Sequence, residues 1–173
     1  MMHDHRSVSE RKPKMKQRAC LMTRRSLVGL MAAAAFARPA AAAPDAATLT
    51  VHRDPSCGCC AGWVQHMRDA GFTVQVEETP DLDPIRARLG IPSNLVACHT
   101  AEVAGYVVEG HVPAAAVRRL LAERPNAKGL AVPGMPVGSP GMEGGKPQRY
   151  EVVLFGADSQ KPFMRFVGAD AID

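Results

Sequence analysis

From Leu49 to Arg53 the pattern is one of alternation, with Leu49 and Val51 on one side and Thr50 and His52 on the other, and the Thr and Val content suits a β-strand. Asp54-Pro55-Ser56 breaks it. Between Cys60 and Ala70, the residues Trp63, Val64, Met67 and Ala70 fall on one helical stripe, and Gly71 supplies the C-terminal stop. Phe72, Val74 and Val76 then alternate with Thr73, Gln75 and Glu77, which predicts a second strand. A short helix should follow, with Asp83 as N-cap, Pro84 at the first position, Ile85 and Leu89 on one face and Gly90 beyond.

Leu95 to His99 reads as a strand and Val103 to Glu109 as its hairpin partner, with Thr100-Ala101-Glu102 as the connection. Pro113 opens a helix whose buried stripe is Ala116, Val117, Leu120 and Leu121, ending before Pro125. Lys128 to Gln148 is studded with Pro and Gly and reads as one long loop. Loops of that length inside a compact domain are usually functional or disordered. Tyr150 to Phe155 and Phe163 to Val167 suggest a closing hairpin. The order strand, helix, strand, helix, strand, strand, helix predicts an α/β domain of thioredoxin-like type, a central mixed sheet flanked by helices, carrying a long Gly/Pro/Met loop.

Composition and charge change the picture mainly at the N-terminus. The net charge of +4 hides an asymmetry, because residues 1–42 hold nine Lys or Arg against Asp4 and Glu10, which leaves the rest of the chain with more acidic than basic groups. A nucleic-acid-binding role, which the basic balance would suggest, is therefore not expected. Thr23-Arg24-Arg25-Ser26-Leu27-Val28 precedes an apolar run to Phe36, and Ala40 and Ala42 give the small-residue spacing of a cleavage site. We expect residues 1–42 to be an export signal of twin-arginine type, or else an ordinary secretory leader carrying two arginines, and residues 43–173 to be the functional domain. Either leader leads to the periplasm. The apolar run is too short for a mature membrane span, and Cys20 leaves with the leader.

Four cysteines then remain: Cys57, Cys59, Cys60 and Cys98. Cys57-Gly58-Cys59-Cys60 contains a Cys-x-x-Cys spacing between a strand and a helix, and the helix N-terminus favours the thiolate that serves both disulfide exchange and metal ligation. A structural disulfide is the plainer alternative, but a domain of this size does not require one to fold. Thiol exchange needs two sulfurs and the chain offers four. Soft thiolates match a soft d10 ion, which means Cu(I) or zinc. Structural zinc sites more often use two separated ligand pairs, so zinc is the weaker fit.

The long loop favours copper. Gly134-Met135-Pro136-Val137-Gly138-Ser139-Pro140-Gly141-Met142 presents Met135 and Met142 among glycines and prolines, and thioethers bind Cu(I) in preference to zinc. Covering an apolar patch is the other use of such methionines. His99, next to Cys98, is a candidate ligand or a partner to one, and His111, just before a helix start, is a second. A hydrogen-bonded structural role is the alternative for each. Trp63 could shield the site, although its stripe position makes it first a core residue.

Asp54-Pro55-x-Cys57-Gly58-Cys59-Cys60-x-x-Trp63, Ser93-x-x-x-x-Cys98-His99-Thr100, Gly105-Tyr106-Val107-Val108-Glu109-Gly110-His111-Val112-Pro113 and Gly134-Met135-Pro136-x-Gly138-Ser139-Pro140-Gly141-Met142-Glu143 together resemble the small periplasmic CopG-type copper-resistance proteins. The resemblance implies a thioredoxin-like fold, export to the periplasm, and copper held by cysteines in a cluster of one or more ions with a redox role. Carried over, it makes Cys57, Cys59, Cys60 and Cys98 copper ligands, with Met135 or Met142 contributing. The expected function is Cu(I) binding for copper tolerance. Two alternatives stay open: a thiol-disulfide oxidoreductase using Cys57 and Cys60, and a carrier passing copper to other periplasmic copper-handling proteins.

Overall fold

The computed structural model describes residues 47–172. The expected leader, its cleavage after Ala42 and Cys20 lie outside the described residues. The elements run β1 (Thr48–Arg53), α1 (Gly58–Asp69), β2 (Thr73–Glu78), α2 (Asp83–Leu89), a 3-10 turn (Ser93–Leu95), β3 (His99–Val103), β4 (Tyr106–Glu109), α3 (Ala114–Glu123), β5 (Gly129–Ala131), β6 (Arg149–Phe155), β7 (Gln160–Val167) and β8 (Asp170–Ile172). Among the described residues these form one mixed eight-stranded sheet in the order β2-β1-β3-β4-β5-β6-β7-β8, with three helices. β1 runs parallel to β2 and β4 to β5; the other neighbours are antiparallel.

Strand alternation sends successive side chains to opposite faces, and the two faces carry different cores. Leu49, Val51, Ala101, Val103, Val108, Leu130, Val152 and Leu154 pack with Trp63, Val64 and Met67 of α1 and with Ala116, Val117 and Leu120 of α3. The residues adjacent in sequence, Val107, Ala131 and Phe155, pack on the other side with Leu95, Leu89 and Ile91, so the end of α2 and the turn after it cover that face. None of the helices described is long and apolar enough to cross a membrane.

Three expectations are corrected. The β3–β4 hairpin exists, but its turn is Ala104-Gly105, not residues 100–102; both turn residues have positive φ, +48° and +87°, as a tight two-residue hairpin turn of this hand requires. Thr100 and Ala101 are both buried, one on each covered face, so no alternation marks them as strand, while Leu95 belongs to the 3-10 turn. The stretch 128–148 is not one loop, because it holds β5. Gly129 is needed there: a Cβ would sit 1.8 Å from the Val107 carbonyl oxygen. Finally, α2 has Leu82 at its N-cap with Asp83 inside the first turn, and Asp81 Oδ1 accepts the Asp83 N–H at 3.0 Å.

Candidate metal centre

β1 ends in a turn that Asp54 stabilises by accepting the Ser56 N–H at 2.7 Å and the Ser56 hydroxyl at 2.5 Å. The chain then enters α1, with Cys57 as N-cap and its Sγ accepting the Cys60 N–H at 3.4 Å. The helix therefore starts earlier than the stripe alone predicted, and Cys57, Cys59 and Cys60 occupy its cap and first turn. Arg53 reaches over this cap, donating to the Cys57 carbonyl at 3.1 Å while pairing with Glu78 at 2.7 Å. Cys98 arrives from the neighbouring strand, in the irregular stretch just before His99 of β3, which pairs with Arg53 at the end of β1.

The four sulfurs converge: all lie within 4.8 Å of one another. Cys57 and Cys60 are joined as a disulfide, with Cα atoms 5.4 Å apart, while Cys59 and Cys98 are free thiols. Cys59 Sγ stands 3.4 Å from Cys57 Sγ and 3.9 Å from Cys98 Sγ. The fully buried Cys60 Sγ, a disulfide sulfur with no proton to donate, lies 3.6 Å from the Cys98 carbonyl oxygen.

Cys98, His99 and His111 form a second group that shares Cys98 with the first. Cys98 Sγ lies 2.9 Å from His111 Nε2 and 3.3 Å from His99 Nδ1. Both imidazoles are fully buried, and burial holds His99 down to about 3, with His111 adding to the effect; burial also lowers His111. Neutral rings keep a lone pair for a metal. At His111 the Pro140 carbonyl, 2.8 Å from Nδ1, takes that N–H, so the lone pair is on Nε2, facing Cys98. Nε2 of His99 is buried without a hydrogen-bond partner. Burial, and next the neighbouring Cys59, push the Cys98 thiol up to about 12, so a metal must displace a proton to bind this sulfur.

Trp63 is the core residue that its stripe position predicts, and it also touches the site. It is fully buried, donates its indole N–H to the Val112 carbonyl at 2.8 Å, and sets its ring 4.4 Å from that of His99. The Gly/Pro segment after β5 packs onto α1 through Gly141, where a Cβ would meet Cys59 O at 2.4 Å and Trp63 N at 2.7 Å. Met142, the next residue, is half-buried. Met135, by contrast, is 54% exposed. The structure thus gathers all four cysteines with His99 and His111, and separates the two methionines by exposure.

Sequence reasoning gave no role to Glu109, which is fully buried and accepts from the Ala97 N–H at 2.8 Å and the Thr100 hydroxyl at 2.5 Å. The signal available was an acidic residue closing the apolar run Tyr106-Val107-Val108. It also missed His66, whose Nε2 accepts the Ala114 N–H at 3.1 Å and caps α3.

Comparison with known proteins places this geometry. A family model described as "Protein of unknown function, DUF411" matches residues 95–142, the segment holding Cys98, His99, His111 and both methionines. Two solved structures, described as copper resistance protein copG, form 1 and form 2, each share 42% identity with this chain. Each match covers 70% of this chain and 98% of the other, at a TM-score of 0.66. No curated protein matches.

Proposed function

Since the chain belongs to the CopG-type copper-resistance family, we propose that it holds copper as Cu(I) on Cys57, Cys59, Cys60 and Cys98 and serves copper tolerance in the periplasm. The observation that carries this reading is the convergence of four sulfurs within 4.8 Å. Thiolates can bridge, so four sulfurs can hold more than one ion. His111 Nε2 and His99 extend the donor set on the Cys98 side, and Met142 is better situated than the exposed Met135 to add a thioether. The donor set joins soft sulfurs to neutral, borderline imidazole nitrogens with no carboxylate among the converging atoms, which suits Cu(I) better than a hard cation.

The chain's own residues set the conditions of binding. With Cys57 and Cys60 joined, two sulfurs are unavailable as thiolates; an external dithiol, itself oxidised to its disulfide, would supply the two electrons and two protons that convert the pair to two thiols, whose protons copper would then displace. Trp63 and the Gly141 segment limit water at the buried side. The run β1-α1-β2-α2-β3-β4-α3, with strands arranged β2-β1-β3-β4, supports a thioredoxin-like reading of that part, β5 to β8 being an addition to it.

Anaerobic loading of the reduced protein with Cu(I) against a competing chelator, followed by elemental analysis, tests the proposal. One or more coppers per chain, falling in Cys98→Ser, is the expected result; no copper held above the chelator would overturn it. The Cys57–Cys60 disulfide at a helix N-terminus supports a second reading, thiol-disulfide exchange with Cys57 attacking and Cys60 resolving. Reduction of insulin disulfides that is lost in Cys57→Ser and kept in Cys98→Ser would favour it.

A further inference from the structure

Cys98 belongs to no helix or strand, yet its sulfur is the one atom shared by both donor groups. Something outside the centre must hold it in place. The backbone of Ala97, immediately before it, is gripped from both ends. Glu109 Oε1 accepts the Ala97 N–H at 2.8 Å, and an Arg86 guanidinium nitrogen donates to the Ala97 carbonyl. Arg86 Nε and Glu109 Oε1 are 3.3 Å apart, so the two grips are one ion pair between α2 and β4. The second carboxylate oxygen takes the Thr100 hydroxyl at 2.5 Å, two residues after Cys98. Gly110 completes the seat: a Cβ there would lie 2.6 Å from the Ala97 Cβ and 2.8 Å from the Val132 carbonyl.

The Glu109 side chain is fully buried and that of Arg86 is 14% exposed. Ion pairs at such depth recover little beyond their desolvation cost, and apolar replacements often match them in stability. A pair whose hydrogen bonds fall on the residues flanking one cysteine does something more specific than hold the fold. We propose that Glu109, braced by Arg86, is a positioning residue for Cys98, fixing its sulfur against His111 and Cys59. The role in metal binding rests on the copper reading above; the placement of the thiol does not.

Two readouts separate them. In the metal-free, reduced protein, the rates at which a small alkylating reagent modifies Cys98 and Cys59 are followed by mass spectrometry. Glu109→Ala should raise the Cys98 rate severalfold and leave Cys59 unchanged. In chelator competition with Cu(I), Glu109→Ala should weaken binding roughly tenfold or more, the range seen when residues supporting metal ligands are removed. Glu109→Gln, which keeps an oxygen for the Ala97 N–H, should recover most of that. In a Cys98→Ser background Glu109→Ala should have no further effect, because the coupling runs through that sulfur. Arg86→Lys, which cannot span both Ala97 and Glu109, provides the same cycle if Glu109→Ala fails to fold. An unchanged Cys98 rate, or an equal loss of copper affinity with and without Cys98, would overturn the inference. A wild-type protein that holds no Cu(I) while the alkylation effect persists would overturn the copper reading alone.

Discussion

The Sγ of Cys98 lies 2.9 Å from Nε2 of His111, and the hydrogen bond from Nδ1 of that ring to the Pro140 carbonyl makes Nε2 the lone-pair atom. The ring is thus oriented before any metal arrives. His111→Ala should lower Cu(I) affinity roughly tenfold or more in chelator competition, with the four cysteines intact. An unchanged affinity would remove His111 from the donor set and leave His99 as the one imidazole beside the sulfurs.

The Cys57–Cys60 disulfide leaves Cys59 and Cys98 as the free thiols among the described residues. A chain beginning at residue 43 should therefore show two reactive thiols when oxidised and four after reduction, and Cu(I) uptake should follow the second state. Thiol titration beside copper analysis on the same samples checks this. Equal copper loading in both states would mean that Cys57 and Cys60 are not ligands.

Gly141 has a φ of +86°, and its backbone abuts Cys59 and Trp63 where a side chain has no room. Gly141→Ala should destabilise the protein by about 1–3 kcal/mol through strain and overpacking together. Gly134 is the control: its φ is +71°, but nothing lies within 4 Å of the added Cβ, so Gly134→Ala should show only the strain component. Thermal melting of both variants tests the difference, and equal shifts in Tm would mean that the contact with α1 is not tight.

Much of the site could be read from pattern because its pieces sit at changes of period. The two-residue alternation of β1 gives way to the helical stripe of Trp63, Val64 and Met67, and the cysteines occupy the junction. What the pattern hid follows from burial on both faces. Thr100 and Ala101 are equally covered, so the strand they belong to had no alternation to reveal its register. Glu109 reads in sequence as the polar end of a strand, and it takes the approach of Arg86 from α2, the Ala97 N–H and the Thr100 hydroxyl to explain a carboxylate there. β5 is three residues long and depends on the absence of a side chain at Gly129, a constraint set by a neighbour 22 positions earlier in the chain. The Cys-x-x-Cys spacing marked Cys57 and Cys60, the pair that the structure joins, whereas the approach of Cys98 to them is a property of distance that spacing does not contain.

His66 links α1 to α3, its Nε2 accepting the Ala114 N–H at 3.1 Å where the N-cap Pro113 has no side-chain acceptor to offer. Only the neutral ring can accept. Burial lowers the pKa of His66 from its ordinary 6.5, with the charges of Glu143 and Asp69 opposing in part. The folded value is therefore below the unfolded one, and above about pH 6.5 both states are neutral, so this group adds no pH dependence there. As pH falls below that point the unfolded chain takes up a proton that the folded chain refuses, and stability declines until the folded ring is itself protonated. The capping bond at stake is of order 1 kcal/mol. As pH falls below about 6.5, metal-free wild type should thus lose Tm more steeply than His66→Gln, whose amide oxygen can accept the same N–H without titrating. Parallel pH profiles for the two proteins would show that His66 carries no proton-linked stability.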